Sequence, residues 1–135
     1  YLVVFNAGTF LPLGNRGIFD GTTSQDLKRV AVDKDGLVSV VGTLATQVDY
    51  GTGTLVSAGS SDGFVALYDP NLQKARWSKR FGGPVDDRAV AVAVDPTSSA
   101  VIVAGEFKAT ADFPGGKQLT SNGGVNNLFL MKLAR

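Results

Sequence analysis

From Leu27 onwards, short apolar runs alternate with clusters of Gly, Pro, Asp, Asn, Ser and Thr. The runs are short and rich in β-branched residues, with Gly frequent between them, so they read as strands and not as helices. Four strands are predicted per unit. The first is Leu27–Asp33, with a second copy at Ala89–Asp95; the second is Leu37–Thr43, with a copy at Ala100–Glu106. The third is Phe64–Asp69, with a copy at Leu128–Leu133, and the fourth is Ala75–Phe81. Lys34-Asp35-Gly36 and Pro96-Thr97-Ser98-Ser99 are hairpin-turn residues between first and second strands. Long Gly/Thr/Ser-rich loops are expected between second and third strands.

The duplication is an internal repeat. Val30-Ala31-Val32-Asp33 lies over Val92-Ala93-Val94-Asp95 at an offset of 62, and Gly42 over Gly105 and Asp49-Tyr50 over Asp112-Phe113 at 63. Leu55 to Gly59 lies over Leu119 to Gly123 at 64, and the same offset sets Phe64-Val65-Ala66-Leu67 over Leu128-Phe129-Leu130-Met131. The offset grows in loops, where insertions are tolerated. Backwards, Tyr1 to Asn6 matches Phe64 to Asp69, and Ile18-Phe19-Asp20-Gly21 lies over Arg80-Phe81-Gly82-Gly83. The intervening "LPLGNRG" reads as an irregular or bulged outer strand.

"AVAVAVD" puts Ala89, Ala91 and Ala93 on one face and Val90, Val92 and Val94 on the other, which predicts burial on both sides. "ARWSKRF" carries Arg76, Lys79 and Arg80 and reads as a charged edge strand. An apolar first strand, a charged last strand and covering sheets on both faces describe a propeller blade, with the Ala face suited to a crowded central axis. A two-sheet sandwich is the rival. The expected fold is all-β, built of four-stranded antiparallel β-propeller blades. Residues 1–26 are the last strands of a preceding blade, 27–83 a complete blade and 84–135 three strands of the next. That makes about two and a quarter blades, where a closed ring needs at least about four, so the chain reads as part of a larger propeller.

The motifs "WSKRFGG", "DDRAVAVAVD", "VIVAGEF", "ADFPGG", "LTSNGG" and "LFLMKL" resemble the bacterial β-propeller repeat of the SBBP type. The likeness is strong over residues 77–133, clear over 27–83 and weak over 1–26. It implies a propeller in a secreted or cell-surface bacterial protein, with no enzyme activity and no fixed catalytic residues. The sequence departs from the repeat at Asn126-Asn127, where an Asp commonly precedes the aromatic as in Asp62-Gly63-Phe64, and at residues 96–99, which lack the turn Gly.

Composition narrows the chemistry. The 135 residues contain no Cys and no His, which excludes disulfides, thiolate or imidazole catalysis and zinc sites built on those side chains. A net charge of +1 gives no electrostatic case for nucleic acid, and no apolar run is long enough to span a bilayer. Tyr1 is not an initiator Met, so the chain is expected to be a processed product or a piece of a longer one.

Asp33-Lys34-Asp35-Gly36 has a calcium-loop look but too few ligands, and reads as a turn in which Asp caps the backbone and Gly takes positive φ. Asp86-Asp87-Arg88 reads as a local Asp–Arg pair at the head of a strand, not a shared carboxylate site. Glu106 has no visible partner for acid–base work. "YGTGT" and "FGGP" lack the helix and Lys of a phosphate loop and are turns. Trp77 is expected to pack between neighbouring blades, with sugar stacking as the alternative. No catalytic, metal or cofactor residue is assigned. The Ser/Thr/Asn-rich loops 52–62 and 117–127 are the expected rim for any partner. The expected role is a non-enzymatic scaffold or binding segment. Its partners are the remaining blades or another protein chain, with a glycan-binding propeller or a self-assembling surface filament as alternatives.

Overall fold

The structure, a computed structural model, describes residues 2–5, 8–9, 12–16 and 25–135. These are all-β and antiparallel, with one short 3-10 turn at Asn122–Gly124. The strands are β1 (Leu2–Phe5), β2 (Pro12–Arg16), β3 (Gln25–Val32), β4 (Val38–Leu44), β5 (Gln47–Asp49), β6 (Thr54–Val56) and β7 (Asp62–Tyr68), followed by β8 (Ala75–Phe81), β9 (Arg88–Val94), β10 (Val101–Phe107), β11 (Thr110–Phe113), β12 (Lys117–Thr120) and β13 (Asn127–Leu133). The first unit is a four-stranded meander in the order β3-β4-β7-β8, and the second a three-stranded one in the order β9-β10-β13.

The regions expected to be loops between second and third strands each hold a small hairpin, β5–β6 and β11–β12. Each hairpin delivers an aromatic to the third strand of its own unit. Tyr50 stacks on Phe64 with centroids 4.2 Å apart, and Phe113 meets Phe129 edge-on at 5.1 Å.

Register corrects the repeat alignment by one residue. Gly42 pairs with Phe64 and Gly105 with Phe129. Phe64 is therefore the counterpart of Phe129, not Leu128, and the third strands are offset by 65 rather than 64. Asn127 then stands where Asp62 stands in the first unit. The N-terminal pair follows the same plan: β1 pairs with β2 as β7 pairs with β8, with a shift at the same step, Val4/Phe5 and Leu67/Tyr68. The matched segment Ile18 to Gly21 lies outside the described residues.

A bulge recurs as well. The pairing shifts between Leu27 and Arg29 opposite Gly42, and between Ala89 and Ala91 opposite Gly105. At both places a backbone carbonyl, of Asp26 or Arg88, sits where a Cβ on the Gly would go, at 1.9 and 2.1 Å. The two-faced burial expected for β9 fails: β9 is an edge strand, and Ala89 and Val92 join the core layer while Ala91 and Ala93 are exposed and Val90 is 37% exposed. The bulge sets the phase, turning Ala89 and then Val92 to the same side. Edge strand β3 likewise leaves Val30 and Val32 exposed.

The core has two layers. One side of the first sheet gathers Val38, Val40, Leu44, Phe64, Ala66 and Tyr68 with Val48 and Tyr50 of the hairpin. The other side, with Leu37, Val41, Val65, Leu67 and Phe81, packs on Val101, Val103, Phe107 and Phe129 of the second sheet. Phe81 is the hinge pin of this contact, lying against both Phe113 and Phe129. β8 is the outer strand, as its charges predicted, with Arg76 and Lys79 exposed.

Candidate functional site

The acids and loops singled out in the sequence fall mainly at one end of the two sheets, where β4 and β10 hand over to the hairpins. There, the chain reverses after β8 and after β10, with Gly82 at φ 141° and Ala109 at φ 54°. Asp87 ties the two reversals together. It is 1% exposed, and one oxygen accepts from the Gly83 amide at 2.7 Å while the other accepts from the Lys108 amide at 2.9 Å. Its own amide donates to Ser61 O at 2.7 Å. One side chain thus joins the end of the first unit, the start of the second and the turn after β10. Burial pushes its carboxyl above the ordinary value, the two amide bonds pull the other way, and nearby Asp62 adds to the rise.

Asp62 is the second buried carboxylate. It accepts from the Ala58 amide at 2.9 Å and from Arg80 Nη1 at 2.5 Å. Gly82 lies between the two acids: a Cβ there would stand 2.6 Å from Asp62 Oδ1 and 2.9 Å from Asp87 Oδ2. Arg80, read as edge protection, is therefore the counter-ion of a buried acid. Gly82 also exchanges both backbone hydrogen bonds with Asp112 at 3.0 Å, tying the end of β8 to the β11–β12 hairpin.

Around these struts lie two shallow polar depressions. One, of about 380 Å³, is lined by Ser60, Asp86, Arg88, Lys108 and Asn126 with Pro84 and Val85. The other, of about 200 Å³, holds Lys28, Thr43 and Ser61 and shares Asp86 and Arg88. Ser60 and Asn126, from the loops 52–62 and 117–127, line the same depression. Asp86 accepts from Ser61 Oγ at 2.8 Å, and the Ser60 and Ser61 hydroxyls hold its carboxyl below the usual range. It remains an ionised acceptor facing solvent.

No protein-family model matches this sequence. No curated protein matches it either.

The expected local pairing of Arg88 with Asp86 or Asp87 is not formed. Arg88 reaches across to Glu106, Nε to Oε2 at 3.2 Å, and Asn126 donates to the same oxygen at 3.1 Å. Glu106 is thus an anchor for Arg88 and Asn126. The Asp33 turn takes the capped form. Asp33 Oδ1 accepts from the amides of Asp35 and Leu37 at 2.9 and 2.8 Å, and Gly36 sits at φ 81°. In "YGTGT", Asp49 Oδ1 gathers the amides of Gly51, Thr52 and Gly53. Among the described residues, no group of three or more acids converges as a metal site would require.

Trp77 is half-buried against the layer between the sheets. Its remaining surface helps line a depression of about 480 Å³ with Asp69, Lys74, Arg76 and Arg135. Lys108 and Lys28 were not singled out in the sequence. Nothing in their local spacing marks them, because they reach these depressions through pairing distant in the chain.

Proposed function

We propose that this chain is a segment of a β-propeller that serves as a binding and structural scaffold in a bacterial surface or extracellular protein. The observation that carries the reading is the repetition: each unit has the same register, the same bulge opposite a Gly and the same hairpin aromatic on its third strand. The motif resemblance to the SBBP-type repeat points the same way. The acids of the repeat cap turns and tie loops, a use that suits a frame. Binding is assigned to the rim, where Arg88, Lys108 and Asp86 offer both charge signs beside the amide of Asn126. A protein surface of mixed charge fits that lining better than a polyanion does. The remaining blades of the ring are supplied by further sequence or by another chain.

A second reading, glycan binding, is favoured by Trp77, whose indole borders a depression carrying Asp69 and Arg76. Sugar rings stack on such platforms while their hydroxyls bond to flanking charges. The test is to probe arrays of purified surface proteins and of glycans with the chain, an R88A/K108A/N126A variant and a W77A variant. A protein ligand lost only in the triple variant supports the first reading. A glycan lost only in W77A moves support to the second. A chain that folds by circular dichroism and binds neither class overturns both.

A further inference from the structure

The loops that lead from each hairpin to the third strand begin alike and continue differently. Ser57 and Ser121 are counterparts, and each is anchored by its amide, Ser57 to Thr46 O at 2.6 Å and Ser121 to Ala109 O at 2.7 Å. In the first unit the next two residues are held. The Ala58 amide donates to Asp62 Oδ2 at 2.9 Å, and the Gly59 amide donates to Ser57 Oγ at 3.3 Å. Ser57 Oγ donates in turn to Gly59 O at 3.2 Å. In the second unit the same two places are Asn122 and Gly123. One more residue separates them from the third strand, and Asn127 stands where Asp62 stands. The bonds are not remade. Ser121 Oγ is buried with no hydrogen-bond partner among the described residues, so the Gly123 amide lacks the acceptor that Gly59 has. The Asn122 carboxamide is likewise unbonded among them, and Gly123 takes φ 64°. These bonds, made or missing, all lie within the loop. The exposure of Asn122 is also a property of the place, since Ala58 is exposed there with the second unit packed beside it.

We propose that the loss of these bonds makes Asn122 a site of self-modification, where the chain converts its own carboxamide to aspartate and isoaspartate. Asn122-Gly123 is the single Asn-Gly pair in the sequence. The nucleophile is the Gly123 backbone nitrogen. Hydroxide removes its proton, and the nitrogen attacks Asn122 Cγ. A C–N bond forms and closes a succinimide ring, the bond from Cγ to the side-chain nitrogen breaks, and that nitrogen leaves as ammonia. Water then opens the ring at either carbonyl. One opening leaves aspartate, and the other leaves isoaspartate with an extra methylene in the main chain. Nothing is oxidised or reduced, and water is the sole co-reactant. Glycine suits the attack because no Cβ crowds its nitrogen and its backbone turns freely. An unbonded amide suits it too, because a hydrogen-bonded one must first be released. The product carries one more negative charge on the loop that supplies Asn126 to the polar depression. The modification stands apart from whatever that depression binds.

The test incubates the full chain, folded and in urea, and follows each Asn by mass-spectrometric peptide mapping, with an isoaspartyl methyltransferase to label isoaspartate. In the folded chain Asn122 is expected to lose its carboxamide at least about tenfold faster than Asn71 or Asn126, and faster as pH rises. The decisive comparison is Ala58→Asn, at an exposed position, which places a second Asn-Gly pair in the loop that Asp62 and Ser57 hold. Its carboxamide is expected to survive in the folded chain and to be lost as fast as that of Asn122 in urea. Gly123→Ala should slow the loss at Asn122. Retention of the Asn122 carboxamide for as long as those of Asn71 and Asn126 overturns the proposal on the unaltered chain alone. Equal loss at both Asn-Gly pairs in the folded chain also overturns it, since the dipeptide and not the loop would then set the rate. So does a product that contains aspartate without isoaspartate, because direct hydrolysis would then replace attack by Gly123.

Discussion

The third strands of the two units, β7 and β13, occupy the same place in their sheets and meet different fates. β7 is buried along its whole length, with Gly63 under the ring of Phe81. β13 has Leu128 at that position and exposes it. One position of the third strand thus holds a small residue beneath a large neighbour in the first unit and an exposed large residue in the second. Exchanging the residues should therefore have unequal effects. Gly63→Leu drives a side chain into Phe81, which pins the two sheets together. Losing that packing costs about 4 kcal/mol or more, enough to leave the chain largely unfolded in thermal or urea melts. Leu128→Gly removes an exposed side chain and should cost less than about 1 kcal/mol. Similar losses from both variants would refute the difference in packing.

The next comparison sets the strand ladders against the junction between units. Ladder bonds share their load, whereas Asp87 alone serves two amides from different units. Asp87→Ala strands the buried Gly83 amide, at about 1–3 kcal/mol, and the part-buried Lys108 amide, which costs less. A destabilisation of about 2–4 kcal/mol is expected, with the hydrogen-exchange protection of Gly83 and Lys108 lost first. The sign with pH also separates this acid from those at the surface. Its folded-state pKa is raised by burial, so its ionisation costs the folded state, and its contribution weakens as pH rises through that value. A melt in which Asp87→Ala leaves both amides protected would show that another group holds them.

Much of this frame was readable in the sequence, and the gaps have physical causes. The Val-rich runs, the Gly at each second-strand end and the charged outer strand are local signals, and the strands fell where expected. The β5–β6 and β11–β12 hairpins were missed because strands of three or four residues amid Gly and Thr carry too little alternation to register. The burial of β9 was misjudged because apolar residues on both faces of a strand do not show that a sheet covers each face. The Arg88–Glu106 pair and the Asp87–Lys108 bond were not legible. Both depend on register between strands that sequence spacing does not specify.

The two hairpin turns solve one problem with different residues. Gly36 takes φ 81° in the first, and Ser99 takes φ 56° in the second. A side chain in that left-handed region is strained by about 1–2 kcal/mol. Gly36→Ser should therefore cost about that much, sharpened by Pro70, whose Cβ lies 3.2 Å from the new Cβ position. Ser99→Gly should stabilise, by up to about 1 kcal/mol after the added freedom of the unfolded chain is set against it. Equal and small effects of the two swaps would mean that the turns do not control φ as described. The second turn adds a charge device. Asp95 accepts from Lys132 Nζ at 2.7 Å and from the amides of Thr97 and Ser98. Lys132 first, and then Ser98 and the turn amides, hold its carboxyl well below the usual range. A lowered folded-state pKa gives stability that is present above the unfolded value, near 4, and lost as pH falls below it. Asp95→Asn should flatten the fall in melting temperature below about pH 4, and an unchanged slope would count against this role.

The smallest expected effect comes from the hairpin aromatics. Tyr50 and Phe113 are counterparts, yet only Tyr50 carries a hydroxyl, and that hydroxyl is buried with no hydrogen-bond partner among the described residues. Burial pushes its pKa far above the ordinary phenol value, so the group stays neutral and contributes only the cost of losing water. The ring is what the fold uses, through its stack on Phe64. Tyr50→Phe keeps that stack and removes the stranded oxygen, so stability should rise by about 0.5–1 kcal/mol, a gain of a few degrees in melting temperature. The reverse change, Phe113→Tyr, places a hydroxyl at a half-buried site within reach of water and should be neutral to within about 0.5 kcal/mol. If Tyr50→Phe instead lowers the melting temperature, the hydroxyl is bonded, and the two hairpins differ in a way their shared register does not reveal.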